Sequence, residues 1–240
     1  MPPPRSRCRA SRASARSVGG DDDDDDDART TIRFVTNGRC PYAQKAWIAL
    51  EASGCVYETT EVSLYGPGGK PGWFLRMNPR GTVPVVAVVA GGVDDDDYVV
   101  FSDSESILDA VGDGVVAAEG ARGALCTDGL SADERALADR WRGSIADRLI
   151  PVGKSAVLRG SLSELRSLLK ELNTLVVGPY LVGEGLSLAD CAAFPFLWRI
   201  DQEFGITGDG EENLRSWLDK CMETEPIKRT IPVKGWWWWW

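Results

Sequence analysis

The pattern of apolar and polar residues near the start of the folded sequence predicts a strand, a helix and a second strand. The run "TIRFVT" (31–36) is β-branched and aromatic, as strands commonly are. A helix is predicted from Cys40, because Pro41 suits the first helical position and Gly54 suits the residue after the last turn. The run "CVYETTEV" (55–62) alternates like a second strand. Together these segments predict a right-handed βαβ unit with parallel strands.

The next segments predict a hairpin followed by a helix. The runs "TVPVVAVVA" (82–90) and "YVVF" (98–101) are apolar enough to form a pair of strands. From Ser102 to Val111 the apolar spacing becomes helical. The first half of the chain is therefore predicted to be βαβ followed by ββα.

The remainder of the chain predicts only helices. Ser131, Ser161 and Ser187 each lie three residues before an acid, which is the spacing of a helix N-terminal cap. A last helix is predicted at about 211–223. The fold class expected is thus an α/β N-terminal domain followed by an all-α domain.

Composition excludes several kinds of function. The 240-residue chain carries a net charge of −9, which disfavours nucleic acid and anionic membranes as partners. No stretch is apolar for long enough to cross a bilayer. Histidine is absent, which excludes His-ligated metal sites and Ser/His or Cys/His relays, and no metal is expected. The six cysteines are scattered, as expected for free thiols in a reducing compartment.

The two ends of the chain are unusual in composition. Residues 1–20 are rich in Arg and Ser and contain no acid, which fits either a transit peptide or a disordered tail. The tract Asp21–Asp27 predicts a solvated linker. The expected location is therefore the cytoplasm or a plastid. The terminal "WWWWW" fits no element of a fold.

Cys40 is the candidate nucleophile. A cysteine at a helix N-terminus is exposed to the positive end of the helix dipole, and Arg39 and Lys45 are expected to add positive charge. These features predict a lowered pKa, and the alternative is an ordinary buried thiol. The residue three positions later is Ala43, so this motif has no second cysteine to close a disulfide. An external thiol would have to resolve an oxidised Cys40, and glutathione is the abundant cellular candidate.

Four segments carry a family resemblance. They are "CPYAQKAWIALEASG", "KPGWFLRMNPRGTVPVV", "FSDSESILDAV" and "GPYLVGEGLSLADCAAFPFLWRI". In this order they resemble the glutathione transferase superfamily, and within it the cysteine-type branch of plant dehydroascorbate reductases and omega-class enzymes. The resemblance implies a thioredoxin-like N-terminal domain, with glutathione as co-substrate and a small electrophile such as dehydroascorbate as its partner.

The resemblance also implies how the glutathione sulfur and the backbone of the tripeptide would be held. Cys40 would face the sulfur. Val83, before a cis Pro84, would pair its backbone with the cysteinyl part of glutathione like an added strand. Taken alone, Val83 and Pro84 could simply begin an edge strand.

Three polar residues complete the implied glutathione site. Asp103 and Ser104 open a helix and would bind the γ-glutamyl group, and Lys70 would reach the glycyl carboxylate. Alone, Asp103 and Ser104 could merely cap their helix, and Lys70 could be a solvated loop charge. Ser187 and Asp190 are expected to be structural caps.

The implied substrate pocket departs from the plant reductase pattern. Arg39 replaces an acid before the cysteine, and Arg199 lies where those reductases have a histidine. Trp236 matches a C-terminal tryptophan of that family. The function implied is a glutathione-dependent dehydroascorbate reductase. Its alternatives are an omega-like thioltransferase with another electrophile or a non-enzymatic binding module of the same fold, in each case as a monomer or homodimer.

The segments divide the chain into five parts. We expect a tail at 1–30, a thioredoxin-like glutathione-binding domain at 31–111, a linker at 112–129, an all-helical domain at 130–225 and a C-terminal tail at 226–240.

Overall fold

A four-stranded mixed sheet forms the centre of the N-terminal half. The computed structural model describes residues 31–65, 69–89, 98–116, 125 and 129–232. The strands are β1 (Thr31–Thr36), β2 (Tyr57–Glu61), β3 (Val85–Val89) and β4 (Tyr98–Phe101). Their order in the sheet is β2-β1-β3-β4, with β1 and β2 parallel and the other pairs antiparallel. The predicted βαβ–ββ arrangement is confirmed.

Three helices accompany the sheet. They are α1 (Pro41–Ser53), α2 (Gly72–Met77) and α3 (Ser104–Gly112). Pro41 begins α1 because it loses no intrahelical hydrogen bond in the first turn. Gly54 ends α1 in the left-handed region at φ +68°, a conformation that costs glycine little. Both predicted boundaries of α1 are confirmed.

The C-terminal half is helical. The helices are α4 (Ala132–Ser144), α5 (Ile150–Arg159), α6 (Leu162–Asn173), α7 (Leu188–Phe204), α8 (Glu212–Glu223) and α9 (Glu225–Lys228). A π-helical turn, Ile145–Leu149, joins α4 to α5, and the Ile150 N–H reaches back to the carbonyl of Ile145. Pro151 follows this turn, and the wider backbone accommodates a residue that cannot donate a helical hydrogen bond. The predicted fold class, α/β followed by all-α, is confirmed.

Helix starts agree only in part with the predicted caps. Ser131 accepts a hydrogen bond from the N–H of Glu134 at 3.2 Å and donates its own N–H to the Glu134 carboxylate at 2.8 Å. Ser161 makes no side-chain capping bond, so that cap was predicted wrongly. The short helix α9 was not predicted, because four residues are too few for a periodic pattern.

Some predictions lie outside the described residues. These are the tail at 1–30, most of the linker at 112–129 and the tryptophan run. Among the helices in the described ranges, none is long and apolar enough to cross a membrane.

Helix α7 forms the centre of the molecule. Every residue from Leu188 to Ile200 is buried, and α7 packs against both α1 and α4. The start of α7 is fixed by Asp190. Its carboxylate accepts hydrogen bonds from the N–H and hydroxyl of Ser187, the N–H of Leu181 and the indole of Trp217, at 2.6–2.9 Å.

Replacing Asp190 with alanine should destabilise the protein by on the order of 4 kcal/mol, because four buried donors would lose their acceptor. Asp219 is a matched control, since it is a half-exposed carboxylate paired with Arg215. Asp219→Ala should change the free energy of unfolding by less than about 1 kcal/mol. Urea unfolding checks both values, and equal losses would contradict the role given to Asp190.

A network of charges joins α1, α3 and α4. The buried Lys45 of α1 donates to Glu105 of α3, and Arg142 of α4 contacts Glu105 at 2.8 Å and Asp109 at 2.7 Å. Burial alone would raise the pKa of Glu105, but the charges and hydrogen bonds of Lys45 and Arg142 lower it. The network therefore stabilises the packing of α3, whose first turn belongs to the implied glutathione site, when Glu105 is ionised.

Glu105→Gln should cost about 2 kcal/mol at pH 7, between the values typical of exposed and of buried pairs. Because the folded pKa is lowered, the contribution of Glu105 is fully present above the unfolded pKa of about 4.3 and is lost as the pH falls through the folded value. Glutamine resembles the protonated carboxyl. The unfolding curves of the variant and the wild type should therefore converge in acid, and a difference independent of pH would be evidence against the network.

Candidate active site

The turn between β1 and α1 is organised by Asn37. Its side-chain oxygen accepts the N–H of Arg39 at 3.1 Å, and its amide donates to the carbonyl of Val62 at 2.9 Å, beside the end of β2. The N–H of Cys40 donates to the Asn37 carbonyl at 2.9 Å. Cys40 is thereby held in an extended conformation as the residue that caps α1.

The thiol of Cys40 is half-buried and points toward β3. Its Sγ lies 3.9 Å from the carbonyl oxygen of Val83, to which the S–H donates. The Val83–Pro84 peptide is cis, as the family resemblance implied. The Cys40 sulfur lies against the main chain at Val83, just before β3, and a role for Val83 and Pro84 in binding glutathione stays a prediction.

Burial controls the ionisation of Cys40. It raises the pKa of the thiol above its ordinary value, although the N–H groups of Ala43 and Tyr42 and the charge of Arg199 act in the opposite direction. The prediction of a lowered pKa is therefore wrong. The helix end favours the thiolate, but removing the thiolate from water is the larger effect here. Lys45 was also misplaced, because it is buried and paired with Glu105.

Two of the three remaining implied glutathione residues lie at the start of α3. Asp103 accepts the N–H of Ser106 at 2.9 Å and caps the helix, and Ser104 is buried behind it. Lys70 packs over Gly81, where an added Cβ would lie 2.8 Å from the lysine Cδ. These placements agree with the simple capping and packing alternatives, and a role for these side chains in binding glutathione stays a prediction.

A cleft of about 630 Å³ opens beside the thiol. It is lined by Asn37, Arg39, Cys40, Pro41, Tyr42, Glu61, Val62, Ser63, Leu64 and Tyr65. The ring of Tyr42 packs edge-on against Phe196 of α7, with centroids 5.3 Å apart. The cleft therefore meets the helical half of the chain at Tyr42, and Cys40 forms part of its lining.

The three residues of the implied substrate pocket lie in different places. Arg39 is exposed and lines the cleft. Arg199 does not line it: this arginine is buried, and its guanidinium donates to the carbonyl of Arg39 at 3.3 Å. Trp236 lies outside the described residues. Arg199 therefore contacts the turn that carries Cys40 and not the cleft itself, and its part in a substrate pocket stays a prediction.

Family models match both halves of this architecture. Residues 39–113 match the N-terminal domain of glutathione S-transferases, and residues 155–220 match the C-terminal domain. The chain belongs to the glutathione transferase superfamily. The first match contains the Cys40 turn, the cis Val83–Pro84 peptide and the start of α3, and the second contains Asp190 and Arg199.

Individual relatives fall in the two classes that the sequence resembles. A rice (Oryza sativa subsp. japonica) protein named probable glutathione S-transferase DHAR2, chloroplastic, is 24% identical over 210 residues, which cover 83% of this chain and 70% of that one. Rat (Rattus norvegicus) glutathione S-transferase omega-1 is 37% identical over 82 residues, covering 34% and 33%. Glutathione transferase omega 1C from Trametes versicolor has the same fold, with a TM-score of 0.72, 23% identity and coverage of 85% and 92%.

Two contacts around this candidate site were not found from the sequence. Arg80 donates to the carbonyl and hydroxyl of Ser102 at 3.4 and 3.2 Å, beside the cap of α3. Its place in "NPRGTVP", just before Val83, was a local signal that could have been used. Gln44 donates to the carbonyl of Thr230 at 3.1 Å. These residues are 186 positions apart, and no local pattern indicates such a contact.

Because burial raises the pKa of Cys40, alkylation by iodoacetamide should be slow at pH 6–7 and should accelerate as the pH rises above about 8.5, the value of a free cysteine. Cys40 should still react before the more deeply buried Cys55, Cys191 and Cys221. Peptide mapping after labelling at several pH values tests this. Rapid and selective labelling of Cys40 at pH 6 would contradict it.

Proposed function

We propose that this chain is a glutathione-dependent thiol reductase with Cys40 as its nucleophile and dehydroascorbate as its electrophile. The observation that supports this most directly is the Cys40 thiol itself. It opens onto a cleft at the start of α1, faces the Val83 carbonyl, and has Ala43 where a resolving cysteine would have to be. The other cysteines among the described residues, Cys55, Cys191 and Cys221, are buried.

A single reactive thiol dictates the order of steps. The Cys40 thiolate adds to a carbonyl carbon of dehydroascorbate, and the new C–S bond carries the substrate. The thiolate of one glutathione then attacks the Cys40 sulfur, the C–S bond breaks, and its electron pair leaves with ascorbate. A second glutathione thiolate attacks the resulting mixed disulfide and releases glutathione disulfide and the Cys40 thiolate. Two glutathione thiols thus supply the two electrons and two protons that ascorbate gains.

The surroundings of the thiol support glutathione as the external reductant. The main chain at Val83 lies opposite the Cys40 sulfur, where the cysteinyl part of glutathione would pair with it like an added strand. The N-terminus of α3, with Asp103, Ser104 and nearby Arg80, offers N–H groups and charge for the ends of a zwitterionic peptide. Lys70 lies against Gly81, the residue that follows Arg80.

A conjugating reaction has less support in this site. It would require a hydroxyl to activate glutathione, and Tyr42 is the hydroxyl nearest the cysteine in sequence. Burial raises the pKa of Tyr42, and its ring is packed against Phe196, so its phenolate does not form at neutral pH. An omega-like thioltransferase that uses another electrophile shares the Cys40 chemistry and differs only in the occupant of the cleft.

Cys40→Ser should reduce turnover of dehydroascorbate and of hydroxyethyl disulfide by at least about a thousandfold, because serine cannot form the mixed disulfide. Cys55→Ser is the matched control, since the same change occurs at a buried thiol away from the cleft. It should retain activity. Assays with both substrates and with chlorodinitrobenzene decide the result. Activity only with chlorodinitrobenzene, or full reductase activity of Cys40→Ser, would show that the proposal is wrong.

The two reductase assays also distinguish the alternatives. Turnover of hydroxyethyl disulfide but not of dehydroascorbate would indicate the omega-like thioltransferase. The absence of turnover with all three substrates, together with measurable glutathione binding, would indicate a binding module of the same fold.

A further inference from the structure

Arg199 is a buried cation in the middle of α7. Only 2% of its surface is exposed. Its Nη1 donates to the side-chain oxygen of Gln44 at 2.6 Å and to the carbonyl of Pro195 at 2.7 Å. Its Nη2 donates to the carbonyl of Arg39 at 3.3 Å, and its Nε has no partner among the described residues. The guanidinium is thus fully desolvated and only partly satisfied.

All three acceptors of Arg199 are uncharged oxygens. Among the described residues, no carboxylate lies within 4.0 Å of its guanidinium, whereas Arg142, Arg148, Arg166 and Arg215 each contact one. Burying a cation without an anion is costly, because the charge loses its hydration and gains no opposite charge in return. The ring of Trp198, whose centroid lies 5.3 Å from the guanidinium carbon, offsets part of this cost. An anion that forms nearby would offset more of it.

Cys40 is the group that can supply that anion. Burial lowers the pKa of Arg199 to about 10, and the negative charge of an ionised Cys40 opposes this decrease. Arg199 in turn is the one side-chain charge that stabilises the Cys40 thiolate in the described part of the chain. The pair is also joined through the main chain, because the carbonyl held by Arg199 belongs to the residue that precedes Cys40.

We propose that Arg199 is a positioning residue for the nucleophile: it holds the Arg39–Cys40 turn against α7 and supplies the counter-charge when the thiol loses its proton to water. This inference rests on the proposed role of Cys40 as nucleophile. It names the charge that favours the thiolate form of the buried cysteine. Gln44 helps to hold the Arg199 guanidinium in place. It accepts from Arg199 and donates to Thr230, so the guanidinium is fixed from both sides.

The other charged or titratable groups around Cys40 do not provide a buried counter-charge. Arg39 and Glu61 line the open cleft, where water screens their charges. Tyr42 is neutral below its raised pKa. Lys45 is paired with Glu105. The charge on α7 that favours the thiolate is therefore that of Arg199.

The decisive measurement is the rate of iodoacetamide alkylation of Cys40 as a function of pH, with thiolate absorbance near 240 nm as a second readout. In Arg199→Met, the rate at pH 7 should fall by about tenfold and the whole profile should move to higher pH, as expected when a nearby opposite charge is removed. Arg199→Lys keeps the charge and should retain the wild-type profile.

Arg166 provides a matched control. Its guanidinium also binds main-chain carbonyls, those of Phe204 and Gly205 at the end of α7, at 2.7 Å each. Arg166→Met should lower the melting temperature and leave the pH profile of Cys40 unchanged. If Arg199→Met behaves like Arg166→Met, with a lower melting temperature and a wild-type profile, Arg199 has only a structural role and the proposal is wrong.

Two further outcomes keep the test decisive. If Arg199→Met does not fold, Arg199→Gln retains an amide for the same acceptors without the charge, and its profile is judged by the same criterion. Alkylation needs neither glutathione nor dehydroascorbate. If the profile of Arg199→Met shifts and the wild type has no reductase activity, the role of Arg199 is supported and the proposed function is rejected. If the profile does not shift and the wild type is an active reductase, the proposed function is supported and the role of Arg199 is rejected.

Discussion

The packing of α7 against α1 is the contact on which the rest of the site depends. Helix α7 is buried from Leu188 to Ile200, and it is long enough to carry three separate contacts. Asp190 fixes the start of the helix, Phe196 packs on Tyr42, and Arg199 reaches the carbonyl before Cys40. The cysteine is therefore carried by the sheet domain, but its turn is held by the helical domain.

The same contact explains why Cys40 does not behave as its helix position suggested. A helix N-terminus favours a thiolate over a distance of about one turn, and the N–H groups of Tyr42 and Ala43 do act in that direction. Packing α7 over α1 also removes water from the thiol. Desolvation is the larger effect, so the pKa of the thiol stays above its ordinary value even with Arg199 present. The charge of the buried Arg199, which has no carboxylate partner among the described residues, offsets part of this increase and does not cancel it.

Local signals in the sequence were sufficient for the fold and for placing Cys40 at the start of α1. Pro41 and Gly54 delimit α1 because their backbone preferences act within one or two residues, and Ser131 caps α4 for the same reason. Ser161 has the same spacing to an acid and makes no cap, so the spacing alone does not guarantee the hydrogen bond. The partners of the charged residues were harder to predict, because a lysine or arginine meets its partner only when elements distant in sequence pack together. Lys45 pairs with Glu105, 60 residues away, and Arg199 contacts Arg39, 160 residues away.

Capping and ligand binding are not exclusive roles at the start of α3. The capping bond of Asp103 uses one carboxylate oxygen for the N–H of Ser106, and a carboxylate can accept several hydrogen bonds. The first N–H groups of any helix have no intrahelical acceptor, so the turn that contains Ser104 remains suited to an anionic group even while its cap is in place. The cap would in fact hold Asp103 in one orientation beside such a ligand. The glutathione site implied at Asp103 and Ser104 is therefore compatible with the capping geometry of α3, and the ion network at Glu105 anchors that turn to α1 and α4.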